Sequence, residues 1–201
     1  MKNSATPSHE NYPDTHHDVY SKTVFGFWLY ILTDFMLFAT LFATYAVLRN
    51  STFGGPSARD LFNLDYTLIQ TLFFLSSSFT IGLAAAFAHR KKKWATIALF
   101  ATTFFLGMVF FGMELSEMTK FVREGFGWHK SAFLSAYFTL IGTHALHMAF
   151  ALLWIIVLIV PVFFEGITPV SIKRLTCLKM FWQFLNIIWV FIFTIVYLIG
   201  A

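Results

Sequence analysis

The chain has 201 residues, of which 58% are hydrophobic, 20% aromatic and only 12% charged. That balance is too apolar for an ordinary soluble domain and indicates an integral membrane protein. A net charge of +4 would invite a nucleic-acid partner, but the 14 Lys and Arg residues sit between apolar stretches, where membrane topology accounts for them and no nucleic acid is implied.

Residues 1–22 are polar, with Pro7, Pro13, His9, His16, His17 and the acids Glu10, Asp14 and Asp18. They lack the basic start and short apolar core of a secretory signal and read as a mobile tail. Its three histidines have neither a cysteine nor a fixed ligand spacing beside them, so the expectation is a solvated tail with no metal site. Five apolar stretches then qualify as transmembrane helices: 24–48, 66–88, 94–115, 132–160 and 177–199. The fold class is therefore all-α, a polytopic bundle of five helices within 23–201. An odd number of crossings puts the two ends on opposite sides. Nine Lys and Arg residues, among them the run Arg90 to Lys93, lie on the side of the N-terminus and five on the other. The bias of Lys and Arg toward the cytoplasm places the N-terminus there and Ala201 in the periplasm. Gly54-Gly55-Pro56 marks a turn after the first span, with Ser57 as a helix cap before Arg59 and Asp60.

The stretch 131–160 is the longest apolar run and the expected centre of the bundle. Ser131, Ser135, Thr139, Thr143 and His147 recur every fourth position, a spacing that stacks them on one helical face, so this face is expected to meet protein. Asp34 is the one acid near the middle of a span. A charge there costs on the order of 3 kcal/mol on insertion scales, which makes such a residue either a paired structural contact or a proton-handling group. Asp34, His144, His147, Gln183 and Asn186 fall at similar depth and form one candidate polar layer holding three helices in register. His144 and His147, three apart on one helix, complete no haem, copper or zinc site without a ligand from a facing helix, and the expectation is structural, hydrogen-bonded histidines. Glu114 and Glu117 share a face near the outer end of the third span, where pairing with Lys120 or Arg123 at the headgroups is expected, with a partner subunit as the other possible counterpart. Ser78, Gly82 and Ala86 form a small-residue seam for close helix packing. Trp28, Trp94 and Trp128 fall near the interfaces, whereas Trp182 and Trp189 lie deeper. Cys177 has no partner for an internal disulfide and reads as a buried small hydrophobe.

Several stretches in one register carry a resemblance: Phe25-Gly-Phe-Trp-Leu-Tyr with Thr33-Asp34, Leu41 to Leu48, Gly54-Gly-Pro, Gly112-Met-Glu114 with Glu117, Ser131 to Ala136, Gly142-Thr-His144-Ala-Leu-His147, Phe181-Trp, Ile188-Trp189, and Phe193-Thr with Val196-Tyr-Leu. From Phe25 onward the chain resembles subunit III of the haem-copper terminal oxidases, in the short five-helix form of the cytochrome o ubiquinol oxidases. The resemblance implies an accessory subunit of the bacterial inner membrane with no catalytic residue, haem, copper or other cofactor of its own. It implies a place beside a catalytic subunit I that carries the haems and copper, contact with ubiquinol only through the complex, bound phospholipid, and a part in keeping proton pumping intact. Asp34, Glu114, Glu117, His144 and His147 carry over by motif. Gln183 and Asn186 depart from it, since familiar relatives have His and Asp there, and an amide exchanges no proton at physiological pH. Two other functions remain open. One is the equivalent subunit of a cytochrome c-oxidising enzyme, and the other a freestanding proton or ion carrier built on Asp34.

Overall fold

The computed structural model describes residues 15–54 and 63–200. The first fourteen residues, with His9, and the turn residues Gly55, Pro56 and Ser57 with Arg59 and Asp60 lie outside the described residues. Among the described residues five α-helices follow one another: α1 Thr15–Leu48, α2 Leu64–His89, α3 Lys93–Arg123, α4 Ala132–Glu165 and α5 Pro169–Ile192, the last continuing as a π-helical turn, Phe193–Leu198. All five are long and apolar enough to cross a membrane.

The helices overrun the apolar stretches at their polar ends. Hydropathy marks only the part of a helix inside the hydrocarbon, whereas the backbone ladder runs on until a cap stops it. Thus α1 begins at Thr15, so the last residues of the expected tail, His16 and His17 included, are helical. The third helix runs to Arg123, with Lys120 and Arg123 at its negative dipole end, and not to Leu115. Thr168 accepts the Ser171 amide and Pro169 occupies the first turn, which starts α5 eight residues before Cys177. Asn63 caps α2 through Asp65 and Tyr66, and Ser131 caps α4 through Leu134. Pro161 lies inside α4, and the helix ends at Gly166, whose φ of 82° suits only glycine cheaply.

The most enclosed helix is α5, which corrects the expectation that the bundle gathers around 131–160. Over their most apolar windows 56% of α5 is buried against 33% of α4, although α4 has the higher mean hydropathy. Hydropathy rises for a lipid-facing surface as readily as for a protein core, and so cannot rank helices by enclosure. α2, α4 and α1 pack on α5; α3 bridges α2 and α4, and α1 leans mainly on α4 and α5. Trp182 and Trp189, both fully buried, form the spine of α5. The Trp182 indole lies over the bare backbone of Gly107 in α3, where an added Cβ would come within 2.5 Å of the ring. Its N–H donates to Ser77 Oγ at 2.9 Å, and that of Trp189 donates to Thr71 Oγ1 at 3.0 Å, which ties α5 to α2 twice. The buried face of α2 therefore carries Thr71, Phe74, Ser77 and Ile81. The seam Ser78, Gly82, Ala86 lies beside it, partly open at Ser78 and Gly82 and exposed at Ala86.

Candidate functional site

The expected single polar layer is two compartments on adjacent turns of α4, with a pair of amides elsewhere. In the first compartment α4 supplies His144, fully buried, and α3 supplies Glu114, 1% exposed. Nδ1 of His144 shares a hydrogen bond of 2.9 Å with Glu114 Oε1, and Nε2 lies 3.4 Å from the carbonyl of Leu185 in α5. Phe74, Phe110 and Trp189 wall the imidazole, with ring centroids at 6.0, 5.9 and 5.2 Å. Three helices are thus joined through one side chain.

One turn further along α3, Glu117 accepts from Tyr197 at 3.1 Å, and Tyr137 of α4 lies 3.0 Å from the Tyr197 hydroxyl. Since Tyr197 donates to the acid, Tyr137 donates to Tyr197. The π-helical turn positions Tyr197 here: one extra residue in the turn re-aims the side chain toward α3, away from the face of Gln183 and Asn186 that regular spacing gives it. A cavity of about 240 Å³ lined by Asn63, Tyr66, Ser116, Glu117, Lys120 and Phe121 leads from the bundle end to this acid. The expected headgroup pairing of Glu114 and Glu117 is therefore corrected: both turn inward because α3 continues past them, and Lys120 pairs at 3.9 Å with Glu124 instead.

The second compartment holds Asp34 of α1 and His147. Nδ1 of His147 engages the carbonyl of Thr143 at 2.8 Å, which leaves Nε2 facing Asp34 Oδ2 at 3.9 Å, beyond a direct hydrogen bond. Asp34 Oδ2 has no hydrogen-bond partner among the described residues. Phe38 and Phe181 flank His147 at 5.3 and 6.2 Å. Ile31, Asp34, Phe38 and Tyr45 form the buried face of α1; Thr33, Thr40 and Thr44 point away from it and bond their own helix.

The hydroxyl ladder of α4 does not face the bundle. Ser135 and Thr139 are exposed, and Thr139 and Thr143 donate to carbonyls four residues back, which satisfies them without a neighbour. With Leu115, Ser116, Met118, Thr119, Val122, Trp128 and Phe138, Ser135 and Thr139 line an open groove of about 760 Å³ between α3 and α4. Gln183 and Asn186 meet neither histidine. They line a separate groove with Ser78, and the Asn186 amide donates to the carbonyl of Trp182 in its own helix. Gln70, fully buried with neither amide atom partnered among the described residues, escaped the sequence reading. The Phe74–Phe110 stack and the Thr80–Thr103 bond fix the α2–α3 register and set Gln70 level with Glu114. Its sequence signal was only that of one more polar residue in a span. Among the described residues no group of three His, Cys, Asp or Glu side chains is placed to hold a metal ion.

Among the described residues the molecule is thus a bundle of five helices long and apolar enough to cross a membrane, in which Glu114, Glu117 and His144 bond from helix to helix. The family model of cytochrome c oxidase subunit III matches residues 8–201, and the chain belongs to that family. It is 50% identical to the cytochrome bo(3) ubiquinol oxidase subunit 3 of Pseudomonas aeruginosa, over 94% of this chain and 90% of that one. It is 40% identical to the cytochrome c oxidase subunit 3 of Bacillus sp. (strain PS3), over 87% and 84%. Against the quinol oxidase subunit 3 of Bacillus subtilis it is 37% identical, over 88% and 87%.

Proposed function

We propose that this chain is the non-redox accessory subunit of a proton-pumping ubiquinol:oxygen oxidase in a bacterial inner membrane, where it stabilises the catalytic haem-copper subunit and holds lipid. The observation that carries the reading is the state of the two intramembrane histidines. His144 spends both ring nitrogens on Glu114 and Leu185, and His147 spends Nδ1 on its own helix. These are the bonds of a scaffold. The aromatic walls around the two compartments also separate them, which favours an accessory role over a freestanding carrier that needs linked polar sites. The groove between α3 and α4, apolar along its floor with hydroxyls at its edge, suits an acyl chain. Ubiquinol is favoured over cytochrome c as the electron donor of the complex because the relative that is 50% identical carries that name. The excess of Lys and Arg beside the N-terminal end supports a cytoplasmic N-terminus.

The test is a pull-down in mild detergent on a tag at the N-terminal end, with a haem spectrum and quinol-driven oxygen uptake read on the eluate. Haem together with quinol oxidase activity is the expected result. Haem with turnover on reduced cytochrome c alone would transfer the subunit to the other donor class, and a haem-free eluate under conditions that preserve the oxidase would overturn the assignment.

A further inference from the structure

Six buried side-chain atoms among the described residues have no hydrogen-bond partner, and three of them belong to two side chains: Oε1 and Nε2 of Gln70 on α2, and Oε2 of Glu114 on α3. Gln70 is fully buried and Glu114 is 1% exposed. The antiparallel register of α2 and α3 puts the two at one level. Phe74 stacks on Phe110 with centroids 4.2 Å apart, and Thr80 bonds Thr103 at 2.7 Å. Gln70 lies four residues before Phe74 on α2, and Glu114 four residues after Phe110 on α3. Both steps are one helical turn toward the same end of the bundle, so the acid and the amide form the layer next to the stacked rings.

What this layer needs is chemically specific. His144 takes Glu114 Oε1 at 2.9 Å, and Oε2 is left wanting a donor. The Gln70 amide wants an acceptor at its nitrogen and a donor at its oxygen, whichever way round it is turned. A metal or ammonium ion would meet the oxygens and leave the N–H unmet, and a hydrocarbon tail would meet none of the three. Water both donates and accepts, and buried water settles where it finds two to four polar partners. An entry route lies beside the site. The cavity of about 240 Å³ that leads in from the bundle end is lined by Tyr66 and Glu117. Tyr66 is one turn from Gln70 on α2 and Glu117 one turn from Glu114 on α3, so the cavity reaches to within a turn of the orphaned atoms on both helices.

We propose that Gln70 and Glu114 hold bound water between α2 and α3, and that this water exchanges with the aqueous phase through the cavity beside Glu117. One molecule accepts from Gln70 Nε2 and donates to Glu114 Oε2, and a second donates to Gln70 Oε1. The Glu114–His144 pair is then the inner end of a hydrated site and not a sealed contact. The site lies wholly within this chain, so it stands whichever oxidase the chain serves.

The probe is water itself. X-ray radiolysis makes hydroxyl radicals from water where it is bound, and mass spectrometry then reads oxidation of the side chains beside it. Phe74 and Phe110 are fully buried, yet in the protein purified in its native complex both rings are expected to be oxidised. After mixing into heavy-oxygen water they should take up the label, more slowly than exposed Trp128. Gln70→Leu removes both amide atoms and should cut the oxidation of the two rings several-fold. By stranding Glu114 Oε2 it should also shorten the half-life of the subunit in heated detergent roughly 5- to 150-fold, the cost of one unmet buried polar atom. Glu114→Gln keeps two polar atoms on the same stem and should keep both rings oxidisable, so the wild type and this variant decide the matter if Gln70→Leu does not assemble. Unoxidised rings in the wild type would overturn the proposal, since a direct Gln70–Glu114 bond leaves the layer dry. A longer half-life in Gln70→Leu would overturn it too, because it would show that the amide was stranded. Loss of ring oxidation in Glu114→Gln would hand the site to a cation held by the carboxylate charge.

Discussion

Replacing Gly107 by alanine tests how tightly α3 is pressed against α5. The new methyl group would meet Trp182 Cη2 at 2.5 Å, Cζ2 at 2.9 Å and Leu152 Cδ2 at 3.1 Å. The indole cannot slide aside without giving up its bond to Ser77, 2.9 Å long and buried on both sides. Overpacking of this kind costs about 1–3 kcal/mol, and loss of the bond adds about 1 kcal/mol. Alanine returns up to about 1 kcal/mol of helix propensity, so the net expectation is a destabilisation of about 1–3 kcal/mol. The control is Gly112→Ala on the same helix, where the methyl meets nothing within 4 Å and only the propensity gain applies. The assay is the half-life of the subunit in the heated, detergent-solubilised oxidase, with about a tenfold change for each 1.4 kcal/mol. Gly107→Ala should shorten that half-life and Gly112→Ala should not. In a Trp182→Phe background, where the indole edge is gone, the added cost of Gly107→Ala should vanish. Equal half-lives for the two alanine variants, or an undiminished cost in the Phe background, would refute the close-packing argument.

Other substitutions probe the polar contacts. Glu114→Leu strands His144 in the core and should destabilise by about 3–5 kcal/mol, whereas Glu114→Leu with His144→Phe should cost far less than the sum of the two, read as subunit retention in a double-mutant cycle. Additive costs would mean the pair is not a unit. Tyr197→Phe removes the donor to Glu117 and the acceptor for Tyr137 together, and should cost about 1–3 kcal/mol by the same readout. Asp34→Asn keeps the shape of the side chain and one acceptor oxygen and should leave retention within about 1 kcal/mol of wild type. If Asp34 is only a hydrogen-bond acceptor, protons moved per electron also stay unchanged, and a fall in that ratio with the subunit in place would assign it a proton-handling role.

The number of helices and their type are legible because five long apolar runs admit no other reading in a bilayer. Helix ends are not, since Thr15, Arg123 and Pro169 lie where hydropathy has already fallen and capping decides. The inward turn of Glu114 could not be seen for the same reason: ending the third span at Leu115 sets both acids beside the headgroups. The ladder Ser135, Thr139, Thr143 misled differently. Hydroxyls can bond the carbonyl one turn back, so their recurrence marks no interface, whereas a carboxylate or an imidazole has no such internal escape. Gly107 gave no signal at all, because its role depends on an indole 75 positions away in the sequence.

Polar groups inside this bundle therefore fall into three kinds, and each kind speaks to a different question. Thr33, Thr40, Thr44, Thr139 and Thr143 are satisfied within their own helices and fix nothing beyond them. Glu114–His144, Glu117–Tyr197, Trp182–Ser77 and Trp189–Thr71 run from helix to helix and specify this fold, since any slip of one helix past another would break them. Asn186 and Ser78 line a groove at mid-depth, and Asn186 Oδ1 is left without a partner among the described residues. Asp34 and His147 stand between the second kind and the third. Their side chains are 12% and 16% exposed, and a gap of 3.9 Å separates a carboxylate oxygen from a ring nitrogen whose partner nitrogen is already committed. A pair held so, close yet unbonded and largely buried, would be completed by a proton-bearing bridge or by a neighbouring subunit. The same substitution, Asp34→Asn, separates these two, because a bridge would register in proton translocation and a neighbour in retention.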